Sequence, residues 1–331
     1  MRETKKLPAV LLALVLFFTL SVPALAAAAI DPSRAVSLTI SCRQDGTPIS
    51  GAPFALYRVA DIDAYAEFTL AGDFRTYPVR LDGLDSAAWR ALAETLAAYA
   101  QRDRLTPLDS GMTGKNGELT FPTAGKQLLP GLYLVTSQPF SDGSSVYTAE
   151  PFLVCLPNLD KTTDTWQYDV TVSPKHTCTP IPVPPADDTE KRKVLKVWND
   201  AGRESERPKS ITIQLLKNGE LYNTVILSER NSWRYSWDAL PKYDKNGLPI
   251  VWRVVELTPE GYTVSITQEA GTFLVTNTPK QPPETPPVTP PVNPPGQKTL
   301  PQTGALWWPV PILAAAGLLL IVAGAGKKRK T

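Results

Sequence analysis

Three polar residues stand where strand parity puts apolar ones. Lys196 shares a face with Val194 and Trp198 in one strand-like run, Glu256 follows Trp252 and Val254 in a second, and Asn277 follows Phe273 and Val275 in a third. An amine, a carboxyl and an amide directed inward need a reason, because burying a charge is costly unless it is paired or neutralised. Apolar surroundings lower the pKa of Lys and raise that of Glu. The two can then meet as a neutral amine and a protonated acid, a nucleophile beside a proton donor. Other reactive sets are missing. The single histidine, His176, rules out a His-based triad or a multi-histidine metal site, and Cys42, Cys155 and Cys178 show no CxxC spacing. No cofactor and no metal are expected.

The elements that must position this set read as β-structure. Over 193–278, Ile211, Ile213 and Leu215 alternate, and Asn218-Gly219 between two strand-like runs is the strongest short hairpin signal. A sandwich buries such strands. Residues 36–175 begin in the same way, with Val36, Leu38 and Ile40 on one parity and later strands at 118–121, 132–135 and 152–156. One helix interrupts them: from Ser86 as N-cap, Trp89, Leu92, Leu96 and Tyr99 recur at helical spacing in an Ala-rich run whose stripe should pack in the core. Proline-rich stretches at 179–186 and 279–296 delimit two domains. The second, with proline pairs every four residues, makes a semi-rigid stalk on the order of 50 Å long as polyproline II.

Lys196-Val197-Trp198-Asn199-Asp200, Arg207-Pro208, Asn231-Ser232-Trp233, Leu240-Pro241-Lys242-Tyr243, Glu256, Gly261-Tyr262 and Thr276-Asn277-Thr278 together resemble a Cna B-type domain across nearly all of 193–278. The resemblance implies an intramolecular isopeptide bond between Lys196 and Asn277, with Glu256 as the assisting buried acid. The neutral amine attacks the Asn277 side-chain carbonyl, which the protonated acid polarises, and ammonia leaves. By the loop-entropy model for disulfides, such a crosslink contributes about 4–5 kcal/mol. The alternative is an unreacted Lys–Glu pair, which can be worth less than nothing after desolvation. The first domain lacks the set: its first strand, Ser37 to Arg43, contains no lysine. No isopeptide bond is expected there. Cys42 and Cys155 are candidates for a clamping disulfide, with Cys178 the rival partner, and the odd count leaves one thiol without a partner in the chain.

Both ends read as targeting segments. Arg2, Lys5 and Lys6, an apolar run from Leu7 to Leu20 and then Ala24-Leu25-Ala26 predict a signal peptide cleaved near Ala26. Leu300-Pro301-Gln302-Thr303-Gly304 precedes a 22-residue apolar segment, 305–326, and the basic run Lys327 to Lys330. About 20 residues cross a bilayer, and the cations fix the end in the cytoplasm. This order resembles the LPXTG cell-wall sorting signal, which implies sortase cleavage between Thr303 and Gly304 and transfer to peptidoglycan or its precursor. Trp166, Val170, Val172, Pro174 and Lys175 are spaced as in the pilin motif of sortase-assembled pili, with Ser173 where that family has tyrosine. The resemblance implies that the Lys175 amine accepts the threonyl end of another pilin subunit. Removing both ends takes seven of 34 cations and one of 32 anions, so 27–303 carries a net −4 and no electrostatic reason to bind nucleic acid.

The expected fold class is all-β, two tandem immunoglobulin-like or Cna B-type β-sandwiches, the first with a helical insertion, then a proline-rich stalk and a C-terminal transmembrane sorting helix. The expected order is a signal peptide (1–26), a pilin-like domain (27–175), a linker (176–192), a Cna B-type domain (193–278), the stalk (279–299), LPXTG (300–304), the span (305–326) and a basic tail (327–331). The expected product is a secreted, wall-anchored pilus subunit, structural and not an enzyme. A minor or basal position fits a long stalk on two domains. A shaft subunit, and a stand-alone adhesin for a host surface or matrix protein, are the alternatives.

Overall fold

A computed structural model of the chain describes residues 29–123, 125–181 and 188–280. The signal segment, Leu300 to Gly304, the apolar segment, the basic tail and nearly all of the stalk lie outside the described residues. No helix among the described residues is long and apolar enough to cross a membrane.

The architecture is all-β with a single α-helix among the described residues. Numbering strands of four or more residues, the first domain runs β1 (Ser37–Ser41), β2 (Pro53–Ile62), α1 (Ser86–Arg102), β3 (Asp109–Met112), β4 (Glu118–Phe121), β5 (Gly131–Ser137), β6 (Ser145–Ala149), β7 (Phe152–Leu156), β8 (Asp169–Val172) and β9 (His176–Pro180). One sheet has the order β8–β1–β4; another has β7–β5–β2 continued by Phe68–Leu70, with β3 also on β2; β9 pairs β6. Their inner faces meet in a core built from Leu38, Ile40, Phe54, Leu56, Phe121, Tyr133 and Leu156. β9 falls within the stretch read as linker.

The second domain runs β10 (Thr189–Trp198), β11 (Ser210–Lys217), β12 (Glu220–Ser228), β13 (Arg234–Pro241), β14 (Trp252–Leu257), β15 (Tyr262–Glu269) and β16 (Thr272–Pro279). A four-stranded sheet, β13–β10–β16–β15, faces a three-stranded one, β12–β11–β14. β10 and β16, first and last, lie side by side and parallel. Asn218 and Gly219 turn β11 into β12 with φ of 50° and 88°, the left-handed pair that a two-residue hairpin demands.

The helix begins at Ser86, and its cap is Asp85 rather than Ser86: the Asp85 carboxylate accepts from the Ala88 N–H at 2.8 Å. Both sandwiches belong to one compact unit, and α1 joins them. Its buried residues share one continuous apolar cluster with Ile213, Val254, Ile266 and Phe273 of the second domain.

The Cys42–Cys155 disulfide is not made: all three cysteines are free. Cys42 packs in the first-domain core with Ile40 and Phe54, which Val154 and Leu156 also face. Cys155 has the opposite parity and lines a groove with Trp89, Ala93 and Leu132. The sheet itself therefore stands between the two thiols. Burial pushes them up to about 11 and about 12, which leaves them unreactive. Cys178 lies on β9 opposite Tyr147 of β6, away from both.

Candidate functional site

Strand pairing brings Lys196, Glu256 and Asn277 together. On the parallel pair β10–β16, Lys196 stands opposite Val275 and Trp198 opposite Asn277. In the facing sheet Glu256 stands opposite Ile213. The parity read from sequence holds: Val194, Trp252, Val254, Phe273 and Val275 are buried beside the polar three.

The Lys196 Nζ lies 3.8 Å from Glu256 Oε1, with both side chains fully buried. It donates to the backbone oxygens of Val197 at 2.8 Å and Val275 at 3.1 Å. A neutral amine has two N–H groups, so these carbonyls occupy both and leave the lone pair free. Burial drives the ammonium down to about 8, against the opposing pull of Glu256. Burial also raises the Glu256 carboxyl above its ordinary range, although Lys196 and Asn277 oppose the shift. Desolvation thus moves both groups toward their neutral forms.

Asn277 Nδ2 donates to Glu256 Oε1 at 3.1 Å, while Glu256 Oε2 and Asn277 Oδ1 have no hydrogen-bond partner. With the carboxamide turned over, a protonated Glu256 donates to Oδ1 and polarises the carbonyl that an amine would attack.

The rim of this site carries residues to which sequence reading gave no role. The Trp198 ring lies 4.2 Å below the Lys196 Nζ, with Trp233 and Tyr262 edge-on to it. Asp200, its side chain fully buried, accepts from Arg207 at 2.8 and 2.5 Å. The Arg207 hydrogen bond holds the Asp200 carboxyl below its usual range, so this pair stays charged beside a site that moves toward neutrality. The sequence signal was present in Trp198, Asp200 and Arg207 as part of the resemblance.

The pilin-motif residues lie at the end of the first domain. Val170 and Val172 stand on β8 opposite Leu38 and Ile40 of β1, and Trp166 packs on the same core. Pro174 is buried and Lys175 is exposed directly after it. Ser173, where the motif has tyrosine, is exposed, so the departure leaves the core untouched. His176 bonds Gln44 and the Pro174 oxygen, each at 3.2 Å. Leu300, Pro301, Gln302, Thr303 and Gly304 lie outside the described residues.

Residues 35–177 match the model of the Gram-positive pilin subunit D1, N-terminal domain, and residues 192–278 match that of the Cna protein B-type domain. The collagen adhesin of Staphylococcus aureus is 36% identical over 72 residues, which are 22% of this chain and 6% of the adhesin. The chain thus spans a small fraction of that relative. Among solved structures, a single B repeat unit of the S. aureus collagen-binding surface protein Cna is 17% identical, covering 75% of this chain and 99% of that one, at a TM-score of 0.27. The shaft pilin SpaA of Lactobacillus rhamnosus GG is 15% identical, covering 75% and 100%, at 0.26. The major pilin SpaA of Corynebacterium diphtheriae is 14% identical, covering 73% and 98%, at 0.28. The chain is thus similar, in order, to a Gram-positive pilin D1 domain over 35–177 and to a Cna B-type domain over 192–278.

Proposed function

We propose that the protein is a wall-anchored structural subunit of a sortase-assembled pilus, in a minor or basal position, whose second domain crosslinks itself. The convergence of Lys196, Glu256 and Asn277 in a dry core carries this reading. The Lys196 lone pair attacks the Asn277 Cγ. The Glu256 proton stabilises the developing oxyanion and then assists departure of the amide nitrogen, and one ammonia leaves for one C–N bond formed. The bond joins first strand to last, so tension entering at β10 leaves through β16 without unzipping the sheets between them. The chain is its own substrate, and it turns over nothing else.

Lys175 supplies the intermolecular junction. It is exposed at the foot of a strand held by Val170 and Val172, where an incoming sortase-bound threonyl end can reach its amine. Thr303 is in turn the end passed to another subunit or to peptidoglycan. The 36% match to a collagen adhesin favours a second reading, a stand-alone surface adhesin for a matrix protein.

One experiment tests both levels. Detergent-boiled wall extracts from wild type should contain high-mass covalent species, and Lys175→Arg should lose those formed through its amine while folding normally. A single copy beneath another shaft subunit marks the base, and a ladder of many copies marks the shaft. Wall-linked monomer in both strains replaces the pilin reading with the adhesin.

A further inference from the structure

The helix of the first domain completes the second. Trp89, Arg90 and Ala93 of α1 face β5 and β7 of their own sandwich. Glu94, Thr95 and Ala98 face β14 and β15 of the other. From Ala91 to Ala100 every residue except Glu94 is buried, as expected of a helix packed on both sides.

β14 and β15 are edge strands, one from each sheet of the second sandwich. A bare edge presents unpaired backbone groups. Here the first domain fills them: Val264 N–H donates to the Pro78 oxygen at 2.8 Å, and Ile266 N–H donates to Thr95 Oγ1 at 2.9 Å. The Thr95 hydroxyl donates in turn to Ala91 O at 2.7 Å, so a polar residue with no exposed surface is fully used. On β14, Glu94 pairs with Arg253. The Tyr99 hydroxyl donates to the backbone oxygen of Glu256 itself at 3.3 Å and meets Thr258 Oγ1 at 3.2 Å. Val255, opposite in parity to Glu256, is also completely buried. At the β11–β12 turn a Cβ on Gly219 would come within 3.1 Å of Gln101 Cβ. Contacts between domains are usually loose unless they are large and apolar. This one is apolar, and Thr95, Tyr99 and the Glu94–Arg253 pair give it specific polar contacts.

We propose that α1 is a wall of the isopeptide site: seated on β14 and β15, it holds the backbone that carries Glu256 and excludes water, so the second-domain bond closes at its full rate only with the first domain docked. The inference rests on the bond proposed above. Thr95 and Tyr99 act here as positioning residues, since neither touches the reacting groups. An acid in apolar surroundings keeps its proton only while it stays dry, and a frayed edge at β14 or β15 would let water in beside Glu256. The first domain, whose first strand carries no lysine, thereby governs the crosslink of its neighbour.

The test follows closure as loss of one ammonia in time-resolved intact mass of the mature chain made by cell-free synthesis. Glu94→Arg, and a triple variant Glu94→Arg/Thr95→Val/Tyr99→Phe, should each slow closure at least about tenfold, within the ~100-fold that a misplacement of about 1 Å can cost. Hydrogen exchange at the Val264 and Ile266 amides should quicken in the same variants. Adding Arg253→Glu to Glu94→Arg should restore the rate by reversing the ion pair. Closure of the triple variant at the wild-type rate overturns the inference. So does a slow Glu94→Arg chain that Arg253→Glu fails to rescue, because the loss then reflects a damaged helix rather than an undocked one. Wild-type chain that keeps its full mass is a separate result: it removes the bond itself.

Discussion

Each of the two domains holds a lysine beside a buried carboxylate, and the pairs have opposite chemistry. In the first, Lys126 Nζ lies 2.8 Å from Asp109 Oδ1, with the lysine side chain 48% exposed and the aspartate 1%. The Asp109 carboxylate also accepts from Thr123 N–H at 2.7 Å, Thr123 Oγ1 at 2.6 Å and Ser110 N–H at 2.9 Å. Burial pushes that carboxyl up, but the donors outweigh it and bring it to about 2. The result is a stable anion beside a solvated cation. In the second domain Glu256 receives, among the described residues, only the Asn277 amide as a side-chain N–H donor within hydrogen-bond distance, and the Lys196 side chain has no exposed surface. With few donors to support the charge, burial prevails and both groups move toward neutrality. Proximity of Lys to a carboxylate therefore says little about reactivity; the number of donors on the carboxylate and the wetness of the amine decide it.

The largest effect that can break this comparison comes from Glu256→Ala. It should abolish ammonia loss and remove a crosslink contributing about 4–5 kcal/mol. At roughly 2–4 °C per kcal/mol for a chain of this size, the melting temperature should fall on the order of 10 °C. Wild-type mass and melting in this variant would exclude Glu256 from the reaction. Asp109→Ala should leave ammonia loss intact and lower stability by about 2–3 kcal/mol, the scale of hydrogen bonds to a charged group. Because Asp109 is held below its ordinary 3.8, its contribution is present above that pH and fades as pH falls toward about 2. Asp109→Asn should flatten that acid limb in urea titrations.

Closure should also depend on pH in a way the first domain cannot show. With Lys196 lowered to about 8, the reactive amine is scarce in acid, and the rate should fall about tenfold for each unit below that value. Loss of the Glu256 proton as pH rises should oppose closure. The sign for stability is separate. In Asn277→Ala, which cannot close, the unfolded chain binds more protons than the folded one between about 8 and the ordinary Lys value of 10.5, so stability should rise with pH across that window. A pH-independent closure rate from 6 to 9 would mean that neither group titrates on the reaction path.

Much of this second site was legible because strand parity is strict: with a period of two, Val194, Trp252 and Phe273 settle where Lys196, Glu256 and Asn277 point. Asn218-Gly219 settled a hairpin for the same local reason. The disulfide was not legible, since two cysteines near the ends of a domain carry no record of which face each takes. Cys155 shares its face with Leu153 and α1, not with Cys42. The helix was found, and its apolar stripe read as core packing without a second-domain partner named for it. Thr95 in the middle of an alanine run was the hint of a second partner, because a buried hydroxyl must have hydrogen-bond partners and the one on Ile266 is 171 residues away.

The smallest effect sharpens the comparison most. Lys126→Met removes the first-domain cation while keeping its aliphatic stem, and nearly half of that side chain is already in water. Exposed ion pairs contribute about 0–1 kcal/mol, and three further donors still serve Asp109. The variant should therefore melt within a few degrees of wild type and retain ammonia loss in full. Lys196→Met, the same substitution in the other domain, should retain the complete mass and lose the crosslink contribution with it. If the two variants behaved alike in mass, the first-domain pair would be reactive after all. If they behaved alike in stability, the bond would carry no more load than a surface ion pair. Chemical denaturation of both, read with intact mass on the same samples, separates these cases.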